Sequence, residues 1–494
     1  MAKKKLRNNQ DHENPRQDAL DAAWEKFRPF IPEAELSAME SALSKPLDRA
    51  FRLNPLKLDR QEVEILAKRF GWTLEQVPFC PDGFRVRTYQ TSPSLTREHQ
   101  IGQYYIQDTA SMLPASLFDT RLMESRPLIL DMAASPGGKT THLVARSLDQ
   151  GLIMANDSSL SRISALKTVL KNWGSLNHFI TNFPGENFGL WYPDTFDFIL
   201  LDAPCSMQSL VSIDSHPMRP ITEREEKALA QRQTALLDSA IHALKPGGQL
   251  VYSTCTLSPY EDEAVVNQIL QKYGSKISVA NAQEKLPYPA PGLTTDGIQT
   301  FDPSLTGSIR LWPHRYETAG FFAALICKQD SFGDQRSETP FRSWEKSGFT
   351  EMNVSTQEKI DTFFKEQFGF LLKPVLEKYD CSLWQRENEV WTLSNRYFTE
   401  FSSLPCKSAG MKIASLTVSG LIPDNDWISR FFKEMKKNRF LLDETQTARW
   451  LHGEDLPSAD GNLSKGTILL MVDACETYLG CGFVSAGRIR NLSK

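Results

Sequence analysis

From residue 128 onward, short apolar runs alternate with segments of helical period. Leu128-Ile129-Leu130, Leu152-Ile153-Met154-Ala155, Phe179-Ile180-Thr181, Phe196–Leu201, Gln249–Ser253 and Gly320–Cys327 each read as a strand. Between them, Pro136–Leu148, Ser161–Trp173, residues 222–244 and Glu261–Tyr273 read as helices, the third stopped by Lys245-Pro246-Gly247-Gly248. Strands alternating with helices predict a doubly wound α/β domain over residues 101–330.

The flanks carry weaker patterns. Residues 1–20 are polar and basic and read as a flexible tail. Residues 21–100 read as a small α+β unit: Trp24, Phe27 and Phe30 are spaced by three, 61–71 is an amphipathic helix, and 84–88 a short strand. In Arg52-Leu53-Asn54-Pro55-Leu56-Lys57, Pro55 keeps Asn54 out of the helical region. The arginines and lysines of this unit are candidates for phosphate contacts. Residues 331–345 read as a linker, 346–410 as a small mixed domain, and 411–494 as a β-rich module ending on Arg488, Arg490 and Lys494.

A chain of 494 residues is expected to hold about three or four domains. Its net charge of −4 neither demands nor excludes nucleic acid. The eight cysteines include no C-x-x-C pair, so no metal site is expected, and their scatter suggests reduced thiols. The basic start has no apolar segment behind it, and no apolar run approaches the ~18 residues of a membrane span. The chain therefore reads as a cytoplasmic protein, expected to be a monomer.

In an open parallel sheet, ligands bind outside the carboxyl ends of the strands. Asp131-Met132-Ala133-Ala134-Ser135-Pro136-Gly137-Gly138-Lys139-Thr140 follows one such end and opens a helix. Gly138-Lys139-Thr140 matches the end of a P-loop, but the leading glycine of that motif would be residue 133, an alanine. An adenosine-binding Rossmann turn expects an acid about 20 residues on, and Asp157 is so placed. Asp131 would suit an amino-acid ammonium group. This reading favours S-adenosylmethionine over a nucleotide.

Two further strand ends carry cysteines: Asp202-Ala203-Pro204-Cys205-Ser206 and Ser253-Thr254-Cys255-Thr256. A disulfide between them is one use; nucleophilic catalysis is another. Carbon-5 of cytosine is not nucleophilic until a thiolate adds at carbon-6. A carboxylic acid near ring nitrogen-3 stabilises that adduct, and a base must later remove the carbon-5 proton.

Taken together, these motifs resemble the NOL/NOP/Sun family of RNA cytosine-5 methyltransferases, and among them the bacterial members that modify 16S ribosomal RNA. The matching segments are Arg52–Lys57; Tyr105-Ile106-Gln107-Asp108 with Ser111-Met112; Asp131–Thr140; Asp202–Ser206; Lys245–Gly248; Ser253–Thr256 with Glu261 and Glu263; and Arg310-Leu311-Trp312-Pro313-His314 with Gly320-Phe321-Phe322. Residues 480–494 resemble the PUA-like RNA-binding module of the longer bacterial members. The resemblance implies a Rossmann-like class I methyltransferase domain with RNA-positioning flanks. It makes Cys255 the nucleophile, gives Cys205 the release of the enzyme, and sets Asp202 against the base and near the cofactor. Ala133, Ala134, Ser135, Pro136, Gly137, Gly138, Lys139 and Asp157 would bind S-adenosylmethionine. The substrate would be structured RNA of the small ribosomal subunit. DNA cytosine-5 methyltransferases use the Cys of the Pro-Cys motif instead, and the presence of Cys255 favours RNA.

Two departures from the family pattern stand out. The third acidic position, near the adenine, falls at Pro184, with Asn182 the nearest polar residue. After Pro-Cys-Ser the family has Gly-x-Gly and a basic segment; this chain has Met207-Gln208-Ser209-Leu210 and Ser212-Ile213-Asp214-Ser215. Two other readings remain at this point: an RNA-binding homologue with weakened catalysis acting in ribosome assembly, and a P-loop nucleotidase. His314 is expected to be a hydrogen-bonded structural histidine, Tyr104 and Tyr105 either core or base-stacking residues, and the mixed charges of 222–244 a solvated face.

Overall fold

The computed structural model describes residues 15–119, 123, 125–210, 219–418, 420–458 and 463–492. Most of the basic tail, the Ser212–Ser215 departure and Lys494 lie outside the described residues.

Among the described residues the central sheet has nine strands, and seven of them form its body: β1 (Leu128–Asp131), β2 (Leu152–Asn156), β3 (His178–Thr181), β4 (Phe196–Asp202), β5 (Leu244–Thr254), β6 (Ile277–Val279) and β7 (Phe321–Lys328). Their spatial order is 6-7-5-4-1-2-3. β1 to β5 run parallel, and β7 runs antiparallel against β5 and β6. The alternation of apolar runs and helices thus resolves into the expected Rossmann-like sheet. Strand order reverses at β1, which lies between β2 and β4, and this opens a crevice at the carboxyl ends.

The period-2 pattern of each strand splits its residues between two cores. Leu130, Met154, Ile199 and Leu250 face helices α3 (Glu223–Ala243) and α4 (Glu263–Tyr273) through Leu237, Ile241, Val266 and Ile269. Ile129, Ile153, Leu200 and Val251 face α1 (Gly138–Arg146) and α2 (Ile163–Trp173) through Leu143, Val144, Leu166 and Leu170. Both faces are covered, which is why these strands read as continuous apolar runs. β5 begins at Leu244, five residues earlier than the apolar run suggests, with an irregularity at the Pro-Gly-Gly where pairing jumps from Leu244 to Gln249.

Before this domain, strands Arg49–Leu53, Thr73–Gln76, Gly83–Thr88 and Tyr104–Ile106 form an antiparallel sheet covered by the helix Val63–Phe70. Arg52 and Lys57, offered above for phosphate, face inward instead. Arg52 is fully buried and donates to Gln107 Oε1, the Gly138 carbonyl and Thr141 Oγ1, with its guanidinium over Trp173. Lys57 donates to the carbonyls of Ile101 and Asn172 and to Ser429 Oγ, joining three parts of the chain. Both hold the N-terminal unit to the central domain. The helices Pro15–Phe27 and Leu36–Leu43 pack elsewhere, with Phe27 and Met39 against Leu210, Leu257 and Trp312.

After the central domain, one five-stranded sheet spans Thr350–Glu351, Cys381–Arg386, Glu389–Ser394, Met411–Thr417 and Gly420–Pro423. The expected division at residue 411 runs through this sheet, because Met411 pairs with Thr392. The apolar period of the strand says nothing of which neighbour it joins. A second five-stranded sheet lies within 439–491. Ser408–Ala409 adds to the edge of β3, so the C-terminal part is pinned to the central sheet. Among the described residues, no helix is long and apolar enough to cross a membrane.

Candidate active site

The site is built at the carboxyl ends of β1, β4 and β5. β4 ends on Asp202 and β5 on Thr254, with Asp202 paired in register with Ser253. Each strand then turns into a cysteine. Their sulfurs, fifty residues apart in sequence, lie 3.1 Å from one another with both thiols free. Both cysteines are part-exposed, while Ser206 and Thr256 behind them are buried.

The turn after β1 faces this pair. Gly137 has a φ of +117°, a conformation costly for any residue with a Cβ, and a Cβ there would also lie 2.9 Å from Val169. A Cβ on Gly138 would lie 2.8 Å from the Tyr105 ring. Glycine is thus required where the N-terminal unit meets the turn. Tyr105 belongs to the wall of this turn. Tyr104 belongs to the core of the N-terminal sheet, its hydroxyl donating to the Pro93 carbonyl.

Lys139 is turned towards β4. Its Nζ donates to Asp202 Oδ2 over 2.8 Å, and Ser253 Oγ donates to Asp202 Oδ1 over 2.9 Å. Burial alone would lower the pKa of Lys139. The charge and hydrogen bond of the facing Asp202 carboxylate, with the charges of Cys255 and Asp131, together outweigh it, so the ammonium is held in its charged form. This pairing joins residues 63 apart in sequence, and the turn motif alone does not show it. It occupies the ammonium that a P-loop would point at phosphate.

Asp131 accepts from Thr140 Oγ1 through one oxygen, while its Oδ1 is buried with no hydrogen-bond partner among the described residues. Burial pushes its pKa up to about 7, against the Thr140 hydrogen bond and with help from the charge of Asp202. Asp157, at the end of β2, accepts from the Ser135 and Ser159 amides and shapes the same turn. Pro184 is exposed after β3, and Asn182 donates to the Asp157 carbonyl over 2.7 Å. The polar residue near the missing acid therefore braces Asp157.

The departure after Ser206 has a structural counterpart. Met207 stands where the resembled pattern has glycine, and its φ of +58° keeps the left-handed backbone that glycine would favour. Leu210, one residue past the second glycine position at Ser209, is also left-handed, with a φ of +63°. Leu210 packs this turn into the cluster with Phe27 and Trp312.

His314 contacts neither the turn nor the cysteines. It is a structural residue, its Nε2 against Glu35 Oε2 at 2.5 Å. Glu226 corrects the expectation of a solvated helix face: it is buried, pairs with Lys26 and accepts from Ser258.

Known proteins match this chain over the same regions. The model of the 16S rRNA methyltransferase RsmB/F family matches residues 121–327, and that of the N-terminal domain of 16S rRNA methyltransferase RsmF matches 22–109. A ribosomal RNA small subunit methyltransferase F from Shewanella woodyi is 32% identical over 451 residues, covering 91% of this chain and 90% of the relative. The relative of that name from Serratia proteamaculans is 33% identical over 440 residues, covering 88% of each.

The chain belongs to the RsmB/F family of 16S rRNA methyltransferases.

The resemblance drawn from its motifs is borne out. Among solved structures, a methyltransferase homolog from Pyrococcus horikoshii is 30% identical with a TM-score of 0.54, over 64% of this chain and 99% of its own. NSun6 from the same organism, with a TM-score of 0.51 and 22% identity over 64% of this chain and 98% of its own, agrees in fold. Membership of this family leaves the nucleotidase reading without support. Among the described residues, no cluster of His, Cys, Asp and Glu could hold a metal ion.

Proposed function

We propose that this member is an S-adenosylmethionine-dependent cytosine-5 methyltransferase of small-subunit ribosomal RNA, acting through a Cys255 adduct. The observation that carries this reading is the pair of free sulfurs 3.1 Å apart beside the Lys139–Asp202 pair. One thiol adds to carbon-6 of the cytosine and activates carbon-5; the second is in reach of the same ring for release. Cys255 is the nucleophile and Cys205 the releasing residue. Asp202, held by Lys139 and Ser253, meets the base.

The turn Ala133–Lys139 and Asp157 hold S-adenosylmethionine in this reading. The unpartnered Oδ1 of Asp131 fits an amino-acid ammonium, which would complete its hydrogen bonding. When bound, the cofactor supplies an electrophilic methyl group. The residues of this chain do the rest: they orient the base, form and break the thiol bond, and move the carbon-5 proton. The flanking sheets position the RNA, with exposed Arg488 and Arg490 available for phosphate.

Bisulfite sequencing of 16S ribosomal RNA from a strain lacking the protein tests this. One 5-methylcytosine should vanish and return with the wild-type gene. An unchanged pattern, with RNA binding intact, would favour the weakened homologue.

A further inference from the structure

Behind the cysteine pair lies a buried carboxylate that the reaction above does not use. Glu261 sits in the short stretch between β5 and α4, wholly out of solvent. It accepts from the Ser206 amide at 2.9 Å through Oε2, and from the Ser206 hydroxyl through Oε1. Gln233 of α3 donates both to Glu261 Oε2 and to the Pro204 carbonyl, each at 2.8 Å. The residues on both sides of Cys205 are thus tied to one carboxylate. Burial raises its pKa and the Ser206 and Gln233 hydrogen bonds oppose that rise; all its side-chain partners are donors, which is the arrangement of an ionised acceptor.

The charges around the two sulfurs are therefore unequal. Cys255 has the Lys139 ammonium within electrostatic reach, whereas Cys205 has the carboxylate behind its own turn. We propose that Glu261 is a positioning residue that keeps Cys205 the protonated member of the pair, leaving the nucleophile's role to Cys255. This rests on the covalent reading above and deepens it by naming what assigns the two roles.

Electrostatics agree with the geometry. The hydrogen bond to Cys255 and burial push the Cys205 thiol well above the usual range, and the charges of Cys255 and then of Glu261 add to them. The other titratable groups around the pair are Cys255 itself, Lys139, Asp202, the buried Tyr252 phenol, which donates to the Glu261 carbonyl, and Glu226, which is paired with Lys26. None of these bonds the Pro-Cys-Ser turn as Glu261 does.

The test is alkylation of the full chain by iodoacetamide across pH, without RNA or cofactor, each cysteine followed by mass spectrometry. Cys255 of the wild-type protein should react at lower pH than Cys205. Glu261→Gln should move the Cys205 profile down by about one pH unit, the scale of removing one close like charge. Ser206→Ala removes one hydrogen bond but keeps the carboxylate, and should leave that profile near wild type. The proposal is overturned if Cys205 reacts first in the wild type, if Glu261→Gln leaves both profiles in place, or if Ser206→Ala shifts Cys205 as far as Glu261→Gln does. Cys205 reacting first in the wild type overturns the proposal even if Glu261→Gln fails to fold. Because no methyl transfer is read, failure here is separable from failure of the covalent reading, which an RNA-adduct assay addresses.

Discussion

Lys139 donates to Asp202 over 2.8 Å, tying the glycine turn after β1 to the carboxyl end of β4. In the proposed reading this joins the cofactor side of the crevice to the base side. Lys139→Met should leave Asp202 with Ser253 as its remaining donor. We expect kcat to fall roughly 100-fold or more, the lower range for a lost acid–base or orienting group. Steady-state methylation and a thermal melt check this together; unchanged kcat would remove Lys139 from the mechanism.

Asp131 gives the account a pH dependence. Its pKa is raised to about 7 from the usual 3.8, chiefly by burial. For a carboxyl raised on folding, the stabilising contribution is complete below 3.8 and is lost as pH rises through about 7. Binding of an ammonium runs the other way, since it needs the ionised form. Calorimetric affinity for S-adenosylmethionine should therefore rise between about pH 6 and pH 8, while the unliganded protein loses the stability this carboxyl contributes as pH rises from 3.8 to about 7. Asp131→Asn should flatten both curves.

Arg310 is fully buried against Asp262 and Glu263, its Nη2 at 3.2 Å from Asp262 Oδ2. Arg310→Met would strand two buried carboxylates at the start of α4. Denaturant unfolding should show a loss of about 3–5 kcal/mol. A loss under about 1 kcal/mol would mean that water or a rearranged partner replaces the guanidinium.

Met207 pays a backbone cost at its φ of +58°. Met207→Gly should restore what the turn favours and stabilise the protein by about 1 kcal/mol, net of the entropy that glycine adds to the unfolded chain. A destabilised variant would show that the methionine side chain, not the backbone, holds this turn.

The central sheet was legible in the sequence because each strand is buried on both faces and ends on a chemical residue. Asp131, Asp157, Asp202, Cys205 and Cys255 all fall at strand ends, where an open sheet gathers them. What the sequence hid was pairing across distance. Arg52 and Lys57 looked like RNA contacts because charge alone does not reveal a buried hydrogen-bonded junction. Glu226 sat among exposed Glu223 and Lys227, and only tertiary packing separates it from them. The boundary at residue 411 failed for the same reason: strand pairing is not local.

The central claim is a covalent bond from Cys255 to the RNA, and its most direct measurement is the trapped adduct. Cys205→Ala protein, incubated with unmodified 16S ribosomal RNA and S-adenosylmethionine, should give a complex that survives denaturing electrophoresis. Peptide mapping should place the bond on Cys255, and adding Cys255→Ala to the same variant should abolish the complex. An adduct that persists in the double variant, or normal turnover by Cys205→Ala with no adduct at all, would contradict the account.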